Sequence, residues 1–118
     1  MNRENVEKWI AALEAYEGEP ARRALIDDEG RLCAIGIGVQ AMGIMMEQRD
    51  PYDDFYWTRI RDQFQEWTGI GMGLYNVDIP LKPCFGAYSS VAKANDMGNQ
   101  TPWQIAQRLR ETYLKEES

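Results

Sequence analysis

Histidine is absent from the chain. That excludes Ser-His-Asp and Cys-His nucleophilic catalysis, imidazole general bases and His-ligated metals. Cysteine is scarce. Cys33 and Cys84 stand apart rather than in a CxxC pair, too few for a disulfide scaffold or a thiolate zinc site within one chain. Both read as small buried apolar residues in a reduced, cytosolic setting. No apolar run approaches the roughly 20 residues of a membrane span, and the amphipathic, charged stretch MNRENVEKWIAALEA carries no export signal. Neither Gly36-Gly38-Gly43 nor Gly69-Gly71-Gly73 has GxGxxG spacing or a GK[ST] ending, so no phosphate cradle is written here. Asp27-Asp28 and Asp53-Asp54 lack the alternating oxygen ligands and central glycine of a calcium loop. No cofactor and no metal is implied, and no repeat or low-complexity tract occurs.

What is present fits one soluble domain of 118 residues, with 44% apolar and 27% charged side chains. The formal charge is −6, and it is lopsided. Residues 1–59 hold twelve acids and seven bases, a net −5; residues 60–118 hold seven and six, a net −1. Such a surface repels nucleic-acid phosphates and favours a basic protein partner.

The clearest local chemistry lies in SSVAKANDMGNQTPWQIAQRLRETYL, residues 89–114. Val91, Ala92 and Ala94 give a short helix an apolar face, and Asn95-Asp96 leads to a helix-ending Gly98. Thr101 and Gln104 form a capping box with Pro102 at the first helical position. Trp103, Ile105, Ala106, Leu109 and Tyr113 supply an apolar stripe. Upstream, Glu4–Tyr16 predicts an amphipathic helix burying Val6, Trp9, Ile10 and Leu13, with Gly18 ending it. Ala24-Leu25-Ile26 and Leu32–Ile35, flanking Asp27-Asp28-Glu29-Gly30, predict a β-hairpin with a four-residue turn. Gly36–Glu47 reads as a short buried helix. Asp50-Pro51 opens another, with Trp57, Ile60, Phe64 and Trp67 along one side and Gly69 closing it. The Gly- and Pro-rich stretch that follows, up to Tyr88, is a long irregular loop of the kind that carries function. The expected fold class is therefore α+β, mainly helical, with four to five helices around a small antiparallel β-hairpin in a single domain, 1–118.

Asn95 and Asp96 are the polar pair singled out. They serve either as caps of the turn at Gly98 or as cleft-facing groups that bind a ligand. The ligand reading adds Arg22, Arg23, Trp67 and Tyr75, which together would line a pocket for a small nucleotide-like molecule. Each tryptophan lies on a helical stripe, and core packing accounts for it more simply than a stacking platform does. The closing helices carry Gln104, Gln107, Arg108 and Arg110, suitable for a DNA-recognition helix, but the acidic whole argues against it.

Three pieces resemble a known group. These are the N-terminal helix with Trp9, Leu13 and Tyr16; Leu32-Cys33-Ala34-Ile35-Gly36-Ile37, similar to a "YCCLGV" motif; and Ala94–Gly98 with Thr101–Ala106, similar to "LNDxGxSFxEIA". The group consists of small uncharacterised proteins of tailed bacteriophages, prophages and some bacteria. Ala34 and Val39 depart from it where cysteine is frequent, as does Pro102 where phenylalanine is usual. The resemblance implies a phage-type origin and work inside a bacterial cell, and lends no activity. The expected function is a non-enzymatic accessory protein that acts by binding, as a host-protein inhibitor or anti-defence factor or by sequestering the small ligand. No direct contact with nucleic acid or membrane is expected. The alternatives are an oligomerising module using Met42, Met45 and Met46, a small hydrolase resting on carboxylates or Cys33, and a DNA-binding helix-turn-helix.

Overall fold

The computed structural model describes residues 2–22, 26–44, 54–70, 81, 91–96 and 100–114, with backbone alone at 54–57, 61, 92, 93 and 96. Among the described residues five helices follow in order: α1 (Arg3–Ala15), α2 (Ala34–Ala41), α3 (Asp54–Thr68), α4 (Val91–Asp96) and α5 (Pro102–Leu109). A single π turn, Arg110–Leu114, continues α5.

α1 is the centre of the packing. Its start is fixed by Asn2, whose side chain accepts from Asn5 N–H at 3.1 Å. Val6, Trp9, Ile10 and Leu13 recur at helical spacing and are fully buried. They meet α2 on one side and α5 on the other. The Trp9 ring stands edge-on to Phe64 of α3 at 5.0 Å and 86°, a favoured aromatic geometry. Its indole N–H donates to the Ala34 carbonyl at 3.0 Å, so burying that polar group leaves nothing unpaired. α2 crosses this cluster so closely that a Cβ on Gly38 would lie 2.6 Å from the Phe64 ring and 2.8 Å from Trp9 Nε1. Glycine is what lets the helix sit there.

The expected α+β class is overturned: the structure is helical, and no strand forms among the described residues. The antiparallel hairpin reduces to one isolated bridge between Ile26 and Leu32. Its turn does form, organised by Asp27, whose carboxylate accepts from Glu29 N–H at 3.0 Å and Arg31 N–H at 2.9 Å. The second arm is missing because the chain becomes helical at Ala34. Cys33 Sγ accepts from Gly36 N–H at 3.4 Å, and Asn95 Oδ1 accepts from Ala34 N–H at 3.1 Å. These contacts satisfy donors of the first turn, and the apolar run that reads as a strand is the start of α2. Ala24 and Leu25, the first arm, lie outside the described residues.

The expected buried helix thus exists, two residues earlier than Gly36, and it ends at Ala41. α3 ends as expected at Gly69, which takes φ +68°. The expected start of that helix at Asp50-Pro51 lies outside the described residues, as does most of the irregular loop, of which Ile70 and Leu81 are buried. Among the described residues no helix is long and apolar enough to cross a membrane.

Candidate functional site

α5 forms as its sequence dictates. Thr101 Oγ1 accepts from Gln104 N–H at 3.1 Å, Gln104 Oε1 accepts from Thr101 N–H at 2.9 Å, and Pro102 takes the first position. The buried stripe, however, runs Pro102, Ile105, Ala106 and Leu109. Trp103 is turned one position round the helix and is 57% exposed, the one large apolar side chain so placed among the described residues. The sequence expectation that Trp103 packs in the core is therefore corrected. Trp9 is core, Trp67 is partly buried against the core cluster, and nothing is described of the Trp57 side chain.

Asn95 is almost fully buried, at 1% exposure. Its Nδ2 donates to the Ala21 carbonyl at 2.8 Å while its Oδ1 receives Ala34 N–H. Its own carbonyl accepts from Arg22 Nη1, which also donates to the Gln100 carbonyl at 3.3 Å. The side chain is thus committed to the main chain of two distant segments rather than aimed into a cleft. Asn95 and Arg22 are brought together; Trp67 belongs to a different neighbourhood, tilted against Phe64 at 6.0 Å. The Asp96 side chain, Arg23 and Tyr75 lie outside what is described. Arg108, one of the residues that would suit a DNA-recognition helix, is 9% exposed and donates to Gln100 Oε1 at 3.4 Å. Two guanidinium groups therefore meet at Gln100, a convergence that no local pattern announces.

The antiparallel seam between α1 and the α5–π segment is polar. Arg110 Nη2 donates to Glu14 Oε1 at 2.6 Å and Gln107 Nε2 donates to Glu14 Oε2 at 2.9 Å. These hydrogen bonds, Arg110 first, hold the Glu14 carboxyl below its ordinary value. Arg3 Nη2 reaches the Leu114 carbonyl at 3.4 Å. A groove of about 500 Å³ lies here, lined by Arg3, Glu7, Gln107, Arg110, Glu111 and Leu114. A second, of about 480 Å³, lies at the end of α3 between Asp62, Gln65, Glu66, Gly69 and Ile70. Both are open and shallow. Burial raises the pKa of Tyr113, on the π turn. Among the described residues no three His, Cys, Asp or Glu side chains gather as metal ligands. Cys33 is buried, its sulfur used as a helix cap.

Comparison of the chain with models of protein families, with curated proteins and with solved structures found no match.

Proposed function

We propose that this protein is an accessory protein of phage type that acts by binding, and that its partner is a host protein with a basic surface. The observation that carries the reading is the distribution of charge. Among the described residues exposed acids outnumber exposed bases, and most of the exposed bases are held by acids of the same chain. Arg3 pairs with Glu7, Lys8 with Glu4, Arg31 with Asp27 and Arg110 with Glu14. The field presented outward is negative, and such a field steers a basic partner to the surface and repels phosphates. The phage-type origin rests on the sequence motifs alone.

The test is capture from a bacterial lysate with the purified protein, read by mass spectrometry at low salt and again near 1 M, where screening acts within about 3 Å. A basic protein retained at low salt and released at high salt supports the reading. Retention of acidic proteins only, or turnover of a substrate by the protein alone, overturns it.

The convergence of Arg22 and Arg108 on Gln100 favours a second reading, a small anionic ligand of nucleotide type. A melting-temperature screen with nucleotides decides it, since a ligand of the folded state raises the midpoint by mass action. No shift with any nucleotide removes it.

A further inference from the structure

Arg22 is held in place by its neighbours on either side. Ala21, just before it, donates its N–H to the Leu32 carbonyl at 3.0 Å and accepts from Asn95 Nδ2 at 2.8 Å. Arg22 Nη1 donates to the carbonyls of Asn95 and Gln100. Gln100 is fixed in turn by its N–H, which donates to the Ala94 carbonyl at 3.1 Å. A single guanidinium nitrogen therefore makes both of the bonds that tie Arg22 to α4 and the start of α5. Nε and Nη2 form the edge of a guanidinium that meets an oxyanion with two parallel donors. In Arg22 they hydrogen-bond to nothing among the described residues.

Its charge is left over as well. Among the described residues carboxylates pair with Arg3, Lys8, Arg31 and Arg110, and none pairs with Arg22, although that side chain is half-buried. Cations withdrawn from water are ordinarily paired, and both acceptors of Arg22 are neutral main-chain oxygens. Arg108 brings a second guanidinium to the same residue, donating to Gln100 Oε1 at 3.4 Å, and it is 9% exposed. A carboxylate matches one guanidinium fork and one positive charge. A phosphate has the oxygens and the charge for two.

We infer that the Nε–Nη2 edge of Arg22 holds a phosphate group at the junction of α4 and α5, with Arg108 as the second positive charge. This rests on the anionic-ligand reading above and names what is recognised, the phosphate of a nucleotide rather than its base or sugar.

The experiment follows the Nε–Hε resonance of Arg22 in the isotope-labelled full chain. Inorganic phosphate, adenosine monophosphate or adenosine is added, each against sodium chloride of equal ionic strength. Phosphate and the monophosphate are expected to shift the resonance and raise the melting temperature; adenosine and chloride are not. Arg22→Lys keeps a charge and a donor for the two carbonyls but loses the fork. By calorimetric titration it is expected to bind phosphate about tenfold more weakly or worse, while Arg59→Lys, on the exposed side of α3, binds as the parent does. An Arg22 resonance that moves no more with phosphate than with chloride overturns the inference, and that measurement needs no variant to fold. Equal binding by Arg22→Lys and the parent overturns it too, as does adenosine binding as tightly as its monophosphate. If a nucleotide still raises the melting temperature in those cases, the anionic-ligand reading stands without this site. No response to any nucleotide removes both.

Discussion

Asn95 shows how much one side chain can hold when its amide matches two main-chain groups. The groups it joins, Ala21 C=O and Ala34 N–H, lie 74 and 61 residues away in sequence. Replacing it by alanine strands both in an apolar interior, and each stranded group costs about 1–3 kcal/mol. Asn95→Ala is expected to lose roughly 2–4 kcal/mol in urea denaturation. Asn95→Asp keeps the acceptor for Ala34 N–H but turns an oxygen on the Ala21 carbonyl, so it recovers little. Gly38→Ala is a second severe change, because its Cβ meets two rings that are themselves fully buried. A loss of about 1–3 kcal/mol by overpacking is expected, measured the same way. The sequence pattern around Asn95 shows the residue type and the end of a short helix. It does not show which of several uses the amide serves, since hydrogen bonds to distant segments leave no spacing to read.

Elements were legible where their signals were local. Thr101, Pro102 and Gln104 specify the start of α5 by contacts within one turn, and each forms as its chemistry predicts. Thr101→Ala is expected to cost about 1 kcal/mol, seen as a lower denaturation midpoint. The position of Trp103 was misjudged because residues 102 and 103 differ by only 100° round a helix, and a buried proline displaces the stripe by that step. The hairpin failed for the opposite reason. Its turn is local, fixed by Asp27, but the fate of its second arm was decided by Asn95, far along the chain. A lone two-stranded ribbon is marginal, and the capped helix at Ala34 prevails over it.

The same turn gives a pH prediction. Partial desolvation pushes the Asp27 carboxyl up, but hydrogen bonds from the Arg31 backbone and side chain and from Glu29 N–H outweigh it and leave its pKa lowered. A carboxyl lowered on folding stabilises the native state above its unfolded-state value, and that contribution is lost as pH falls through its folded value. Glu14, lowered by Arg110, acts in the same direction. The parent is therefore expected to lose melting temperature as pH drops below the carboxylate range. Asp27→Asn, read by thermal melts across that range, should show a shallower loss.

At the scale of the molecule, α1 is the hub: α2, α3, α5 and the π turn all pack on it, while α4 packs on α2 and α5. That arrangement was half-visible, since the periodicity of Val6, Trp9, Ile10 and Leu13 marks a wholly buried face without naming its neighbours. Among the described residues exposed acids outnumber exposed bases, and the proposed association with a basic protein should weaken steadily with added salt, measurable by titration at several ionic strengths. The ribosome delivers the chain from its amino end, so α1, α2 and α3 emerge well before residue 95 does. Until that residue arrives, the carbonyl of Ala21 and the N–H of Ala34 wait without their native companion. A nascent chain halted before it should be open to protease, and one carried on through α5 and the π turn should resist. The architecture thus seals its earlier helices with a clasp that translation supplies only after α3.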